Sequence, residues 1–526
     1  MAKRSESTLA VFIALARVSG LVKTLVLFAV LGTTTQLGNV YQSANAFPTI
    51  IFELAAAGSL GAALLPWFVP HQDRSTTEAN QLAYRLLTRA LMVVGALTAL
   101  CVVGARPLAT WLLSSGDGAT DSDARDTLTV LVALCAPQLL AYVPNAIASS
   151  WLNANAKFGA TSLCPLANNA VLLVTYGVFA WWRGSDVDQV AMSSAQLAWL
   201  GMGTTSGVFA MCAVVVVAAR RNGFHPLSRR GNSDAPPRLP QGLIAAAIWT
   251  TLFAATTQIL TLIAVLVGNG AAGNTLIWTV CWQVFLVPFA VLMVPAIATR
   301  FTDLVTSVVS SDHRARLEAL GGGIQSVLFT GVLVAVAVFA TSPAIATLVS
   351  RGHASGSVGA VSATLCAMVP GLIGFGGGQL LARDAIATGR PQLAAFVAIG
   401  LTAVGACAMW FGHGEFAPQQ QPVWLAACSS AVFVVGALIL TLLNPMARRA
   451  VRERSSLLAR RAGFGAVACA GAWWIRTVLP ARPSTPQSVI WLAVAAGAIA
   501  CWFGVTDRIA GGPSWWTTVK SLGGEQ

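Results

Sequence analysis

Residues 16–32, ARVSGLVKTLVLFAVLG, and 39–70, NVYQSANAFPTIIFELAAAGSLGAALLPWFVP, decide the fold class of this chain, with the polar turn TTTQLG (33–38) between them. Both long segments are apolar enough to span a bilayer, yet the first carries Arg17 and Lys23 and the second carries Glu53. The first apolar run, 9–31, is centred on Gly20, so both cations fall within about one helical turn, roughly 5 Å, of the midplane. A charge at that depth costs at least ~2.5–3.5 kcal/mol and therefore faces a water-filled cavity or a partner. Two cations near the middle of one span point to a pathway for something anionic. The structural alternative is an ion pair between Arg17 and Glu53 that merely ties two helices together.

Composition extends this reading to the whole chain. Hydrophobic residues make up 56% and charged residues 10% of 526, far below the ~25% charged of a soluble domain. Fourteen apolar runs are long enough to span: 9–31, 40–69, 90–113, 127–150, 160–182, 193–219, 242–267, 275–298, 321–341, 356–381, 393–412, 423–443, 462–480 and 487–505. The expectation is an all-α polytopic membrane protein. The first run ends without a small-residue cleavage site, so it reads as a span and not as a removed signal peptide.

The net charge of +13 is explained by its placement. With the N-terminus inside, twenty-four of the 32 basic residues fall in inner segments and six in outer ones, leaving Arg17 and Lys23 in the membrane. That bias predicts cytoplasmic termini and contact with anionic lipid, and it makes nucleic-acid binding unnecessary.

The second span is too long for a straight crossing. Thirty residues rise about 45 Å against a ~30 Å hydrocarbon core. Pro48 removes a helical hydrogen bond and Gly58 weakens a turn, so a kink or break is predicted there. The eighth span, WQVFLVPFAVLMVP (282–295), carries Pro288 and Pro295 at the corresponding place in the second half. Paired proline-interrupted spans point to an internal repeat around a central site, with Asn45 and Gln283 facing it. The organisation read from this is an N-lobe over 1–221, a basic, Pro-rich linker over 222–241, a C-lobe over 242–444, and a basic linker with two further spans and a tail over 445–526.

Other chemistries find no support in the sequence. The ten cysteines lie in apolar runs without a CxxC pair, and the five histidines make no ligand spacing, so no metal site is expected. No cofactor is expected either. FGGGQ (375–379) sits in an apolar span and no Gly-Lys pair exists, which excludes a Walker A loop; close helix packing or a hinge is the better reading. The acidic stretch 114–126, SSGDGATDSDARD, reads as a solvated loop and not a calcium site.

The pattern ARVSGLVK, a Gly/Thr-rich turn, NVYQSAN-x-x-P and AAAG-x-x-x-x-x-x-LP resembles the opening of the MurJ/MviN family of lipid II flippases. This family belongs to the multidrug/oligosaccharidyl-lipid/polysaccharide exporter superfamily. Weaker likeness continues through KFGATSLCPLANNA (157–170), WQVFLVPFAVLMVP (282–295) and GGGQLLARDAIATGRPQ (376–392). The resemblance implies two six-helix lobes around an Arg-rich central cavity plus two C-terminal helices whose groove takes a lipid tail. It implies export of a polyprenyl-diphosphate cell-wall precursor in peptidoglycan synthesis, in the bacterial plasma membrane, with cell-wall synthesis proteins as neighbours. Residue by residue, Arg17 falls on one family arginine, and Lys23 on a second without its two-pronged geometry. Asn39 stands where many members have Asp, and Phe52 where many have a third arginine. Ala57 replaces a Glu, and Gln283 falls near an arginine of span eight. The candidate substrate contacts are thus Arg17, Lys23, Asn39, Asn45, Glu53 and Gln283; the candidate hinges are Pro48, Gly58, Pro288 and Pro295.

The competing classes are separable. A drug/cation antiporter of the same superfamily wants several cavity acids, and Glu53 is the only mid-span carboxylate. A membrane glycosyltransferase wants a sizeable outer loop or a set of catalytic acids, and only short loops are present. A flippase for another polyprenyl-linked glycan, and a non-transporting envelope scaffold, stay open on the loss of two family arginines.

Overall fold

The computed structural model describes residues 2–56, 76–115, 121–155, 157–184, 192–225, 243–478 and 483–510, and among these it is helical without a strand. In order, the helices are α1 (Ala2–Leu31), α2 (Leu37–Ala56), α3 (Thr76–Val103), α4 (Ala105–Leu112), α5 (Ser122–Cys135), α6 (Gln138–Ala154), α7 (Phe158–Arg183), α8 (Ser194–Arg221) and α9 (Leu243–Gly268). They continue as α10 (Asn274–Pro288), α11 (Val294–Val309), α12 (His313–Val349), α13 (Val358–Ala387), α14 (Pro391–Gly412), α15 (Gln421–Leu443), α16 (Pro445–Glu453), α17 (Ser455–Val478) and α18 (Thr485–Ala510). Each of the fourteen apolar runs overlaps one of these helices, or two where a run is interrupted, within the described residues. Ten helical segments, from Ala83–Val103 to Pro418–Leu443, are long and apolar enough to cross a membrane among the described residues. The remaining four runs belong to α1, α2, α17 and α18.

Local signals start and stop the helices where the sequence places them. Asp121 accepts a hydrogen bond from the Ala124 amide at the head of α5, so one aspartate of the acidic stretch is a helix cap. Ser193 and Gln196 form a reciprocal capping box on α8. Asp312 caps α12 by accepting from the amides of Arg314 and Ala315. Gly32, at φ 69°, ends α1 in the left-handed region that favours glycine.

The prolines behave differently from one another. Pro48 is buried inside a continuous α2. Pro288 ends α10, and Phe289–Met293 follow as a π-helical turn before α11, the widened ladder that a missing donor invites. Pro295 lies in the first turn of α11, where its lost donor costs little. Gly58 and Ala57 lie outside the described residues.

The chain forms two compact units, Met1–Thr275 and Leu276–Gln526. In the first, α7 packs on α8 and α1, α6 on α8, and α2 on α5 and α9. In the second, α13 is the central helix, packed against α15 and α12, while α12 also carries α17 and α18. The glycine run of α13 explains its tight seam. A side chain at Gly374 would lie 2.4 Å from the Val434 amide, and one at Gly371 would lie 2.7 Å from Ser430 Oγ. Ser430 Oγ in turn donates to the Ala367 carbonyl at 2.6 Å. Within FGGGQ, a side chain at Gly376 would lie 2.8 Å from Met293 Sδ and one at Gly377 3.4 Å from Ala437 Cβ, so these two glycines face packed helices, whereas Gly378 faces open space.

Candidate functional site

Two polar stripes run along α2, and they have different fates. The first is Gln36, Asn39 and Ser43. The Asn39 side chain is buried, and its Nδ2 donates to the Ala271 carbonyl (2.7 Å), Gln36 Oε1 (2.8 Å) and the Gly268 carbonyl (3.3 Å). Its Oδ1 accepts from the Thr275 amide at 3.1 Å. Beside it, Asn269 donates to the Leu112 carbonyl at 2.7 Å and shares hydrogen bonds with Ser43 and Thr275. The stripe is thus a buried clamp that holds the turn between α9 and α10 on α2 and on the end of α4. Gly273, at φ 78°, lets that turn come against Thr33. In this structure Asn39 is a structural clamp with no group left for a ligand. Asn39→Ala is expected to destabilise the protein by about 2–4 kcal/mol, because an amide and a carbonyl stay buried without partners. A melt in detergent checks this, and an unchanged midpoint contradicts it.

The second stripe is Gln42, Asn45, Thr49 and Glu53. Their spacing of three, seven and eleven residues puts them on one face of α2. Gln42, Asn45 and Glu53 are half-buried and Thr49 is exposed. Thr49 Oγ1 lies 2.9 Å from the Tyr142 hydroxyl of α6. Phe52 packs on the same Tyr142 ring, tilted at 33° with centroids 5.1 Å apart.

The side of α2 next to Asn45 is fixed by a chain of buried hydroxyls. Thr204 Oγ1 donates to the Leu200 carbonyl at 2.6 Å, so its oxygen accepts from Tyr41 (2.7 Å), and Tyr41 accepts from Tyr176 (2.8 Å). Every hydroxyl in the chain is used, which pins α2 to α7 and α8 one turn from Asn45.

On α1, Ser19 accepts a hydrogen bond from Asn169 Nδ2 of α7 at 2.9 Å. Lys23 follows one turn later, about 40° round the helix from Ser19, and is half-buried. Arg17 is exposed and sits about 120° from Lys23. Among the described residues, no ion pair joins Arg17, Lys23 or Glu53 to any partner. The structural alternative of an Arg17–Glu53 bridge is therefore not what this structure shows. Among the described residues, the first unit thus holds two cations on α1 and one carboxylate on α2 without an ion-pair partner.

Gln283 belongs to the second unit and is exposed. Its neighbour Trp282 stacks on Phe285 (5.0 Å) and meets Phe433 (6.0 Å), while Phe375 bridges Phe289 (4.7 Å) and Phe433 (4.9 Å). This aromatic ladder was readable only in part, since i, i+3 and i+7 spacing gives 282, 285 and 289 but not their partners on α13 and α15. The second polar stripe had a clear signal in its spacing; the clamp role of Asn39 had none. Among the described residues there is no cluster of His, Cys, Asp or Glu able to hold a metal.

A family model described as lipid II flippase MurJ matches residues 28–492. A curated relative from Rhizobium tropici, described as a probable lipid II flippase MurJ, is 24% identical over 361 residues. That match covers 68% of this chain and 65% of the relative, so it spans just under two thirds of the relative's length. Among solved structures, a lipid II flippase MurJ in an inward closed conformation matches with a TM-score of 0.71 at 14% identity, covering 95% of this chain and 98% of that one. An inward-facing multidrug resistance MATE family transporter of the MOP superfamily matches with a TM-score of 0.66 at 13% identity, covering 84% and 99%. At these identities the two structural likenesses speak for the fold.

Proposed function

The chain belongs to the MurJ family of lipid II flippases, and from that premise we propose that it carries lipid II, a polyprenyl-diphosphate-linked cell-wall precursor, from the inner to the outer leaflet in peptidoglycan synthesis. It does so as a transporter by alternating access of its two units, without a bond made or broken. The observation that carries this reading is the pair of membrane-depth cations on α1 with no described carboxylate against them. An anionic headgroup supplies the missing counter-charge. Arg17 offers a two-pronged contact to phosphate and Lys23 a point charge, while Asn45, Glu53 and Gln283 are the candidate polar contacts for the sugar and peptide part. Pro48, Gly58, Pro288 and Pro295 are the candidate flexing points as the units alternate.

The energetics fit a carrier without a nucleotide motif. A diphosphate with two charges moving outward across an inside-negative membrane gains about 4–5 kcal/mol at ~100 mV. The test is reconstitution of the purified protein into vesicles with labelled lipid II and measurement of label reaching the opposite leaflet. Movement no faster than in empty vesicles overturns the proposal.

The proposed orientation places both termini in the cytoplasm of a bacterial plasma membrane, on the basic-residue bias. Gln419 and Ser310 are exposed positions on segments assigned to opposite sides. With the exposed Cys407, Cys469 and Cys501 replaced, Gln419→Cys is expected to react with an impermeant maleimide on intact cells. Ser310→Cys is expected to react only after permeabilisation. The reverse pattern inverts the orientation.

A further inference from the structure

The short helix α16, PMARRAVRE (445–453), divides its residues into two opposite faces. Ala447 and Ala450 are buried, whereas Arg448, Arg449 and Arg452 are exposed within about 100° of arc on the other side. None of the three arginines has an ion pair among the described residues. The nearby acid Glu318 is engaged by Arg314 at 3.5 Å, and Glu453 is exposed near the edge of the arginine arc. Directly before α16, the last turns of α15 present Leu438, Leu442 and Leu443 at 58%, 64% and 50% exposure. Leucines so exposed at the end of a membrane-spanning helix lie in hydrocarbon. The guanidinium groups, five to nine residues after the last of them, therefore fall at the level of lipid phosphates.

The helix is also held rigidly. Asn444 caps it by accepting from the amides of Met446 and Ala447, and Asn444 Nδ2 donates to Asp384 Oδ2 of α13 at 2.7 Å. At the far end, Arg454 donates to Gln325 Oε1 at 2.9 Å and lies where any side chain at Gly321 would collide with it. A merely topogenic run of basic residues needs neither the buried alanine face nor a clamp at each end.

We propose that the exposed face of α16 is a binding surface for anionic phospholipid headgroups of the leaflet at which α15 ends, with Arg448, Arg449 and Arg452 as the phosphate contacts. Phosphate matches the guanidinium fork, and the three charges attract acidic lipid together. The test uses the full-length protein in nanodiscs of equal parts phosphatidylglycerol and phosphatidylcholine, with retained lipids counted by native mass spectrometry. The unaltered protein is expected to retain phosphatidylglycerol preferentially, by roughly fivefold for each engaged arginine. R448Q/R449Q/R452Q is expected to lose that preference by on the order of tenfold or more, as is the unaltered protein at high salt. R448K/R449K/R452K keeps most of the preference if charge is what the lipid reads, and Arg314→Gln leaves it unchanged. Equal phosphatidylglycerol retention by the triple glutamine variant overturns the proposal and leaves an acidic protein as the occupant. Should that variant fail to fold, the three single glutamine variants replace it, and absence of a graded loss among them overturns the proposal equally.

Discussion

Arg17→Ala and Lys23→Ala are each expected to reduce lipid II translocation in vesicles by on the order of tenfold to a hundredfold, with normal expression and an unchanged melting midpoint. A charge-assisted hydrogen bond is worth about 1.5–3 kcal/mol, which sets that range. Arg17→Lys keeps the charge but loses the two-pronged contact and should recover activity only partly. The structure sharpens the companion experiment. If Arg17 served only to neutralise Glu53, removing both charges would restore transport, because neither would remain unpaired in the membrane. No ion pair joins the two residues, so Arg17→Ala with Glu53→Ala is expected to stay as inactive as Arg17→Ala alone. A fully active double variant would remove Arg17 from substrate binding. Full activity of both single variants would sink the charge-based mechanism and favour a scaffold.

The positions of the spans were legible because hydrocarbon imposes a length and a polarity on every crossing segment. The described part of each of the fourteen runs is helical, and the π-helical turn after Pro288 sits where a proline inside a long span foretells an irregularity. The candidate site was legible only as charge at depth. Arg17, Lys23 and Glu53 stand out against an apolar background whatever their partners. Uncharged polar residues do not, because the same amide can face water or close a buried junction. Asn39 and Asn45 are six positions apart on one helix, yet the first is saturated by the turn at 268–275 and the second has no hydrogen bond among the described residues. That difference comes from the packing of α9 and the turn after it on α2, a contact more than two hundred residues distant in the chain. Resemblance to a family aligned Asn39 with an acid but carried no information on its surroundings. Phe52 shows the converse: the resemblance reads it as a missing arginine, whereas its tilted ring contact with Tyr142 is a packing role that the sequence does not announce.

Asp384→Ala is expected to destabilise the second unit by about 3–5 kcal/mol. Asp384 on α13 is fully buried, and Arg316 of α12 reaches it through Nε and Nη2 at 2.9–3.1 Å. Its other oxygen demand is met by Asn444, the residue that caps α16. Taking away the carboxylate leaves a guanidinium with only 17% of its side chain exposed and an amide donor without an acceptor, which is far costlier than losing an intact pair. Asp384→Asn preserves an acceptor but not the charge and should fall between. Two measurements separate the bridge's contribution to stability from its contribution to arrangement: thermal unfolding in detergent, and limited proteolysis across 444–461. Arg316→Met with Asp384→Leu leaves no buried charge and is expected to regain most of the melting midpoint. The Asn444 side chain still has no acceptor in that variant, so α16 should be cut faster by protease than in the unaltered protein. A double variant that melts as low as Asp384→Ala would mean that the bridge itself stabilises the unit. Normal protection of α16 in it would mean that Asn444 and Arg454 hold the helix without help from Asp384.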